Sequence, residues 1–331
     1  MSDAEVVRLS GFVGVILAAG KGTRMLPFTK RWPKPVLPIL GTPLVRHQVE
    51  MMRSLGIAKV FVVIGHLGHE VVRALGDGVD GVAVEYVEQT ETLGIAHALA
   101  QLEGRLHGPF LLCLGDVYVV SSRLGEMMDL YAAGARGVLA SKVEPDPEMI
   151  RRNFAIVADA DGRVRRVIEK PRADYGRLKG CGLYLFGLEV FDAIRRTPRS
   201  AMRDEYEVTD SIQIMIDDGH RVVHAPVVDD DLNLTVPGDL LAINASELQR
   251  RGLQNFFVEP PALGEWARHT GVVGGTGITL GHGTTLVDCV LFDGVTVPDG
   301  TELSHAIVTP GEVIPCRPTT IPPAAPTEGA S

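Results

Sequence analysis

The sequence predicts an α/β sheet domain that is followed by a short left-handed parallel β-helix. Over about the first 250 residues, short β-rich runs alternate with helical patterns, as they do in α/β sheet proteins. After them helical periodicity is absent and a 17-residue repeat begins. The chain is therefore divided into a first domain at 1–250, a linker at 251–268, a β-helix at 269–316 and a tail at 317–331. The Pro/Ala-rich composition of the tail predicts disorder.

The strands of the first domain are predicted from apolar runs, which lie at 13–17, 60–64, 82–87, 110–114 and 138–141. The run at 60–64 is almost continuous in apolar residues, which is typical of a strand buried in a parallel sheet. Between the first two runs, a helix is predicted from residues at helical spacing, namely Leu44, Gln48, Met51, Met52 and Leu55. Gly56 follows as a helix stop signal.

The β-helix is predicted from columns of similar residues that recur 17 positions apart. The three-member columns are Val273, Val290 and Ile307; Gly277, Gly294 and Gly311; and Leu280, Val297 and Ile314. The two-member columns are Gly283 and Gly300, Thr284 and Thr301, and Leu286 and Leu303. A period near 18, with three sides of about six residues, predicts a left-handed parallel β-helix of about three coils. A β-meander with coincidental glycines is the alternative. Stacked coils also favour a homo-oligomer.

Composition limits the class of protein. The 331 residues carry a formal net charge of −9, so nucleic acid is not an expected partner. No apolar run approaches the roughly 20 residues of a membrane span, and residues 1–10 do not resemble an export signal. The four cysteines form no CxxC pair, which argues against a zinc site or a disulfide framework. The sequence therefore predicts a cytoplasmic protein with no membrane partner.

A basic stretch stands out in this acidic chain. Residues 21–34, KGTRMLPFTKRWPK, hold five basic residues and no acid, directly after the first predicted strand. Gly20 and Gly22 allow the backbone to approach a phosphate closely, so a polyphosphate ligand is expected. The stretch is not a P-loop, because Gly22 separates Lys21 from Thr23. It is not a dinucleotide-binding fingerprint either, because Met25 stands where the third glycine would be.

Residues 17–39, LAAGKGTRMLPFTKRWPKPVLPI, resemble the signature LAAGxGTRLxPxTxxxPKPxxPI of the sugar-phosphate nucleotidylyltransferases. These enzymes join a nucleoside triphosphate to a sugar 1-phosphate and release pyrophosphate. The resemblance extends over about residues 11–245, through EQTETLG, FLLCLGD, IEKP, GLYLF and EYEVTDSI. The order of segments and the repeat region look most like long-form glucose-1-phosphate thymidylyltransferases. The resemblance implies a Rossmann-like nucleotidyltransferase domain with a mixed sheet, followed by the β-helix.

The resemblance implies that Arg24, Lys34 and Lys170 are the catalytic residues. It also implies a nucleotide-binding set of Leu17, Ala19, Gly20, Gly22, Thr23, Arg24, Gln89, Gly94 and Gly115. The prolines on both sides of Lys34 favour a pre-set cation at the triphosphate. The Gln89 amide offers a donor and an acceptor, as the N3/O4 edge of uracil or thymine requires, so dTTP or UTP is favoured.

The metal expected from the resemblance is Mg²⁺, held by Asp116 and Asn233. Asp116 ends a predicted strand, at the edge of the sheet where ligands bind in α/β proteins. Asn233 stands where the family's second metal ligand is an aspartate, and an amide oxygen brings no charge. Metal binding is therefore expected to be weaker, unless a neighbouring carboxylate at Asp229, Asp230 or Asp231 compensates.

The sugar phosphate is expected to bind at Ala155, Glu169, Lys170 and Gly182. Ala155 stands where the family usually has glycine, and Cys181 where it has a small polar residue. These departures leave the sugar open, as glucose 1-phosphate or a relative. Three acids downstream, Glu205, Glu207 and Asp210, either reach the substrate or belong to a helix-start capping box around Thr209.

Two further alternatives remain open at the level of function. One is transfer to an unusual sugar or cyclitol phosphate with another nucleotide such as GTP. The other is a non-catalytic regulatory subunit with the same fold. The pair His66 and His69 has the spacing of metal ligands, but an ordinary strand-to-helix loop is the favoured interpretation.

Overall fold

The computed structural model describes residues 11–201 and 203–317. The expectations for the N-terminus at 1–10 and for the tail beyond 317 lie outside these residues. Contacts divide the chain into two compact units. The first contains Val45–Asp231 together with the described residues before Gly22; the second contains Gly22–Leu44 and the described residues from Leu232 onward.

The helices and strands are labelled in chain order. The α-helices of the described residues are α1 Leu44–Ser54, α2 Gly68–Leu75, α3 Ile95–Ala100, α4 Gly125–Ala132, α5 Pro147–Arg152, α6 Val190–Arg196, α7 Val208–Asp217 and α8 Pro237–Arg250. The strands up to residue 233 are β1 Val13–Ala18, β2 Pro38–Ile39, β3 Thr42–Pro43, β4 Lys59–Ile64, β5 Gly78–Val79, β6 Val82–Glu88, β7 Phe110–Leu114, β8 Val117–Val120, β9 Gly137–Val143, β10 Phe154–Ala158, β11 Val164–Glu169, β12 Leu178–Phe186, β13 Val222–Ala225 and β14 Asp230–Asn233. The later strands are β15 Phe256–Phe257, β16 Ala262–Leu263, β17 Arg268–Thr270, β18 Val273–Gly274, β19 Thr279–Leu280, β20 Thr285–Leu291, β21 Thr296–Val297, β22 Glu302–Thr309 and β23 Glu312–Pro315.

The first unit is built on a mixed sheet. Its main path runs β11-β10-β12-β7-β1-β4-β6-β5, and β9 pairs with β12 and β13. The strands β7, β1, β4 and β6 are parallel neighbours, whereas β12 runs antiparallel to both β7 and β9. The five predicted strands all occur, and the mixed sheet expected from the resemblance is confirmed.

Helix α1 and the predicted strands form where the apolar pattern predicted them. In α1, Val45, Val49 and Met52 are fully buried, so one face of the helix packs inward. The helix ends at Ser54. Gly56 then has a φ of +79°, a left-handed conformation that glycine adopts easily and that commonly follows a helix end, as the predicted stop signal implies. The core of the unit also contains Phe110 and Phe186, whose rings lie 6.1 Å apart. Burying such a side chain stabilises the fold by about 1.5–3 kcal/mol.

The second unit contains parallel strands that stack with the predicted 17-residue register. Val273 pairs with Val290, and Val290 pairs with Ile307. The same offset joins Leu280 to Val297. The predicted apolar columns are therefore confirmed for these residues, and the arrangement is that of a parallel β-helix. Its left-handedness stays a prediction.

The β-helix differs from the sequence expectation at both ends. It begins earlier, because Phe256 already pairs in parallel with Val273 inside the range 251–268 that was expected to be a linker. It ends earlier too, because β23 runs antiparallel to β22 and Ile314 faces Ile307. Pro310 and Gly311 form the connecting turn. A Pro-Gly pair favours a tight turn, so the last repeat folds back as a hairpin instead of adding another coil.

The signature segment 22–44 packs within the second unit. The Phe28 ring stacks on the ring of Phe292 with centroids 5.8 Å apart, and the Trp32 ring lies 5.2 Å from Phe292. On α8, the Asn244 side chain accepts a hydrogen bond from the Leu40 N–H at 2.8 Å. The segment is thus anchored by residues more than 200 positions later. None of the helices in the described part of the chain has the length and apolar character that crossing a membrane requires.

Candidate active site

Two glycines of the first unit lie close to the backbone at the end of β1 and in the turn that follows it. The Gly115 N–H donates to the Leu17 carbonyl at 2.9 Å, and a Cβ on Gly115 would lie only 2.5 Å from that oxygen. A Cβ on Gly65 would lie 2.9 Å from the Ala19 carbonyl oxygen. Larger residues at 65 or 115 would therefore displace the turn. The structure thus places Leu17 beside Gly115 and Ala19 beside Gly65, at the carboxyl edge of the parallel strands.

In the second unit, Gly22 and Lys34 are brought together. Gly22 has a φ of +60°, and a Cβ there would lie 2.9 Å from Thr29 Cγ2 and 3.2 Å from Lys34 Cγ. The Thr29 hydroxyl donates to the Gly22 carbonyl at 3.0 Å. The residue at 22 must therefore be glycine both for its left-handed backbone and for its contact with the Lys34 stem.

Lys34 and Arg24, the two cations of the signature that are predicted to be catalytic, have different surroundings. Lys34 is buried, with 9% of its surface exposed, and it is the first residue of the short 3-10 turn Lys34–Val36, with Pro33 before it and Pro35 after it. Arg24 is exposed on the 3-10 turn Thr23–Met25, which Met25 anchors by its complete burial. An exposed guanidinium on an anchored turn and a lysine with a fixed stem are suited to binding an anion.

Asp116 follows β7 and is half-buried. Burial, with a smaller effect from the charge of Asp116, raises the pKa of the Cys113 thiol to about 12. Cys113 is therefore not a reactive thiol. Asn233, the other predicted metal ligand, is half-buried at the end of β14. Both side chains offer the hard oxygen donors that Mg²⁺ prefers. Within 11–201 and 203–317, no group of three or more His, Cys, Asp or Glu side chains is arranged to hold a metal.

Two of the three neighbouring aspartates that the sequence offered as compensating charges form ion pairs with lysines. The Asp231 carboxylate is fully buried and lies 2.7 Å from Lys179 Nζ and 3.1 Å from Lys142 Nζ. Asp230 lies 3.3 Å from the same Lys142 ammonium. Burial opposes the charged form of Lys142, but Asp231 and Asp230 outweigh it and raise the lysine pKa. Glu144 belongs to the same cluster, 3.3 Å from Lys142 Nζ and 3.5 Å from Lys179 Nζ, so three carboxylates share two ammonium groups. Asp229 is exposed.

Gln89 is held by both its backbone and its side chain. Its N–H donates to the Ile64 carbonyl at 2.8 Å, and its amide Nε2 donates to His97 Nδ1 at 2.9 Å. The His97 ring stacks on Tyr206 with centroids 6.2 Å apart. Gly94 has a φ of +106°, and a Cβ there would lie 2.5 Å from the Tyr206 carbonyl oxygen. The glycine at 94 is thus required by packing. Sequence reasoning missed His97, although it follows Gly94 by three residues on α3.

Glu169, one of the predicted sugar contacts, lies in a cluster of acids. Burial, followed by the charge of Glu207, raises the pKa of the Glu169 carboxyl to about 7, against the opposing effect of Lys170 and Arg203. The Arg203 guanidinium lies 3.6 Å from Glu169, 2.9 Å from Glu205 and 3.1 Å from Glu207. Arg203 was not predicted as a site residue. The sequence signal that could have predicted it is a single basic side chain among the acids of RDEYEVTD.

The capping-box interpretation of these acids is wrong. Helix α7 begins at Val208, and Glu207 at its N-cap makes no side-chain hydrogen bond to the helix. The Glu207 carboxylate pairs with Arg203 instead. Burial raises the pKa values of both Glu207 and Asp210. Lys170, which follows Glu169, has a left-handed φ of +42°, a conformation that is costly for a residue with a side chain and that clusters at functional sites.

The two departures at the sugar end are both buried. Ala155 is fully buried in β10, opposite Lys179, and Cys181 is 1% exposed. Burial raises the pKa of the Cys181 thiol well above its usual value, with a smaller effect from Asp231. Both side chains are thus shielded from solvent. Gly182 has a φ of +67°, and a Cβ there would lie 2.9 Å from Val117 Cγ2, so packing alone requires glycine.

His66 and His69 lie between β4 and the first turn of α2. His69 Nε2 is 3.3 Å from the Glu70 carboxylate. His66 thus lies in the predicted strand-to-helix loop, and His69 is the second residue of α2.

The chain was compared with known proteins. The sequence profile of the nucleotidyl transferase family matches residues 13–231. A UTP–glucose-1-phosphate uridylyltransferase, AglF, from Haloferax volcanii is 31% identical over 208 residues, which are 63% of this chain and 85% of that protein. A glucose-1-phosphate thymidylyltransferase from Streptomyces antibioticus is 28% identical over 302 residues, 89% of this chain and 80% of that one. The crystal structure of UDP-glucose pyrophosphorylase complexed with UDP-glucose has the same fold, with a TM-score of 0.66 and 21% identity over 72% of this chain and 99% of that one.

Proposed function

Because the chain belongs to the nucleotidyl transferase family, we propose that it joins dTTP or UTP to a sugar 1-phosphate and releases pyrophosphate. The sugar phosphate is glucose 1-phosphate or a relative. Two relatives that align with most of this chain are named for thymidylyl and uridylyl transfer to glucose 1-phosphate, which supports this choice of reactants.

One observation carries the proposal. The Lys34 stem is held between two prolines and against Gly22, so its ammonium has little freedom, and Arg24 stands on an anchored turn of the same segment. Both reactants are anions, so a fixed pair of cations lowers the barrier mainly by neutralising charge and aligning the phosphates. A basic loop that was merely solvated would not need a buried lysine.

The reaction forms one bond and breaks another at the α-phosphorus. A phosphate oxygen of the sugar 1-phosphate attacks that phosphorus, and the bond to the bridging oxygen breaks so that pyrophosphate leaves with the electron pair. Arg24 binds the triphosphate by its planar fork, and Lys34 stabilises the charge on the transferred phosphoryl group. The backbone at Leu17, Ala19, Gly20, Gly22, Thr23 and Gly115 receives the nucleotide.

Asp116 and Asn233 would hold a Mg²⁺ ion, which when bound would neutralise charge on the phosphates. Asn233 carries no charge, so Asp116 is the only charged member of the Asp116–Asn233 pair, and weak metal binding is expected. Asp230 and Asp231 form ion pairs with lysines. Glu169 and Lys170 receive the acceptor, with Lys170 on its phosphate. A homo-oligomer built through the β-helix and a cytoplasmic location remain part of the proposal.

The test is pyrophosphate release, measured with each of dTTP, UTP, CTP, GTP and ATP against a panel of sugar 1-phosphates, with Mg²⁺ and with excess EDTA. Release is expected with dTTP or UTP, dependent on the metal, and Arg24→Ala should lower kcat about 100-fold or more because one donor to the transition state is lost. Arg31→Ala, which removes another exposed cation of the segment, is the matched control. Absence of release with every pair would contradict the catalytic proposal and favour a regulatory subunit. Release with GTP or ATP alone would overturn the assignment of Gln89.

A further inference from the structure

Gln48 is a polar residue on the buried face of helix α1. It lies four positions after Leu44 and four positions before Met52, so the three side chains share one face of the helix. Leu44 and Met52 are fully buried, and Gln48 is only 3% exposed. Burying an amide costs free energy unless its groups are hydrogen-bonded, and an apolar side chain would avoid this cost. The contacts of the amide show what the glutamine contributes instead.

The Gln48 amide holds the backbone on both sides of the turn that carries Asp116. Its Nε2 donates to the Leu114 carbonyl at 2.9 Å and to the Val117 carbonyl at 2.8 Å. Leu114 is the last residue of β7 and Val117 is the first residue of β8, so the two bonds bracket the pair Gly115 and Asp116. A single side-chain nitrogen thus joins the end of one strand to the start of the next.

These two partners fix the orientation of the amide. A backbone carbonyl can only accept a hydrogen bond, and Nε2 is the donor group of the amide, so both of its protons are used. A half-turn of the amide would place Oε1 against two other acceptors. The Gln48 Oε1 is buried and has no hydrogen-bond partner within residues 11–201 and 203–317. Because an unpaired buried acceptor is costly, the stabilising contribution of this amide lies in its two donors.

The same turn is also held against β1. The Gly115 N–H donates to the Leu17 carbonyl at 2.9 Å, and Val117 is 1% exposed. Asp116 itself is half-buried. Its backbone is therefore restrained from both neighbours, by β1 on one side and by Gln48 on both sides. A metal ligand that is held in this way does not have to be ordered when the metal binds.

From this geometry we propose that Gln48 is a positioning residue for Asp116. By binding the carbonyls of Leu114 and Val117, it holds the Asp116 backbone in the conformation in which the carboxylate can bind a metal ion. Gln48 itself need not touch the metal or either substrate. The inference rests on the proposed function, because it takes Asp116 as a ligand of Mg²⁺.

The experiment measures metal binding at equilibrium, so that its outcome does not depend on turnover. Mn²⁺ is the probe, because electron paramagnetic resonance reports its free and bound forms, and UTP affinity is measured separately in excess EDTA. Gln48→Met keeps an unbranched side chain of similar length but removes both donors. Asp116→Ala is the reference for loss of the ligand. Val49→Ala is the matched control, because it removes buried apolar atoms from the same helix and no side-chain hydrogen bond.

The unaltered protein should bind Mn²⁺, and Asp116→Ala should lose this binding. In Gln48→Met the dissociation constant for Mn²⁺ should rise about tenfold or more, whereas that for UTP in EDTA should change by less than about twofold. Val49→Ala should lower the melting temperature and keep the affinity for Mn²⁺. Gln48→Leu should behave as Gln48→Met does, and it replaces that variant if Gln48→Met does not fold.

The idea is overturned if the Gln48 variants keep the Mn²⁺ affinity of the unaltered protein, or if Val49→Ala loses as much of it. It is also overturned if Mn²⁺ binding is absent from the unaltered protein or does not depend on Asp116. Mn²⁺ binding that follows the expected pattern in a protein that releases no pyrophosphate would contradict the proposed function alone.

Discussion

Glu169, a proposed contact of the sugar phosphate, should also make the stability of the fold depend on pH. Burial and the neighbouring Glu207 raise its pKa from 4.5 to about 7, although Arg203 lies within 3.6 Å. Between these two values the folded chain binds a proton that the unfolded chain has lost. Stability from this group is therefore present below pH 4.5, is lost as the pH rises to about 7, and does not return above it.

Replacing this carboxyl should flatten that part of the stability profile. We subtract the melting temperature of the unaltered protein from that of Glu169→Gln at each pH. This difference should be about 3 °C larger at pH 8 than at pH 5, because the unaltered protein must bury a charged carboxylate at pH 8 and the amide has no charge to bury. Thermal unfolding across this range measures the difference. Glu126→Gln, at an exposed glutamate of α4, should give curves parallel to those of the unaltered protein. Parallel curves for Glu169→Gln as well would mean that Glu169 titrates alike in both states.

Single residues were predicted where their chemistry follows from type and motif. Lys34 was predicted as a pre-set cation from its two prolines, and the buried stem agrees with that expectation. Arg203 and His97 were missed because their importance lies in what they contact. Asp231 was left open as a source of charge for a metal, and only the structure shows that its carboxylate is paired with Lys142 and Lys179.

At the scale of elements, the 17-residue repeat is also a ladder of side chains that bind the backbone of the preceding coil. Asp293 accepts a hydrogen bond from the Thr276 N–H at 2.7 Å, and Asp299 accepts from the His282 N–H at 2.8 Å. Both bonds join residues 17 positions apart. The columns of valine, leucine and glycine predicted the stacking. These polar contacts between coils were not predicted, because the aspartates lie in turns and carry no apolar period.

Removing one contact of this ladder should weaken the coils by a small, measurable amount. Asp299→Ala should lower the free energy of unfolding by about 1 kcal/mol, since the His282 N–H loses its partner but can still reach water. Urea unfolding followed by circular dichroism measures the change. Glu259→Ala, at another exposed acid of the second unit, should change it by less than about 0.5 kcal/mol. An equal loss in both variants would show that the ladder contact adds nothing specific.

At the scale of the whole molecule, the signature segment and the coils belong to one compact unit although they are far apart in sequence. Phe292 follows the strand β20, and its ring packs on both Phe28 and Trp32 of the segment that carries Arg24 and Lys34. The coils therefore support the part of the chain that is proposed to bind the triphosphate. This role differs from that of an assembly surface.

A substitution in the coils should accordingly weaken the binding of the nucleotide. Phe292→Ala should destabilise the protein by about 3 kcal/mol and raise KM for the nucleoside triphosphate severalfold, with a smaller change for the sugar phosphate. Steady-state kinetics with each substrate varied in turn measures this split. Trp266→Ala removes an aromatic ring of the same region that is 80% exposed, and it should leave both constants unchanged. Lower stability with unaltered KM would restrict Phe292 to a role in folding.

The sequence by itself determined five strands of the main sheet, the parallel coils and the residue types of the signature. Each of these features is encoded by a short stretch of chain, as an apolar run, a fixed period or a motif. Local physical chemistry therefore suffices to predict it. The early start of the coils at Phe256 and their closure by the hairpin at Ile314 were decided by pairing that a period alone does not specify.

Only the tertiary structure decided which side chains hold the proposed site residues in place. His97 is hydrogen-bonded to Gln89, Arg203 lies among the acids beside Glu169, and Phe292 packs on the signature segment. Each of these contacts joins residues whose separation in the sequence bears no relation to a helical or strand period. Such partners are selected by the packing of the whole unit, in which a buried polar group must find its hydrogen bond wherever the fold provides one.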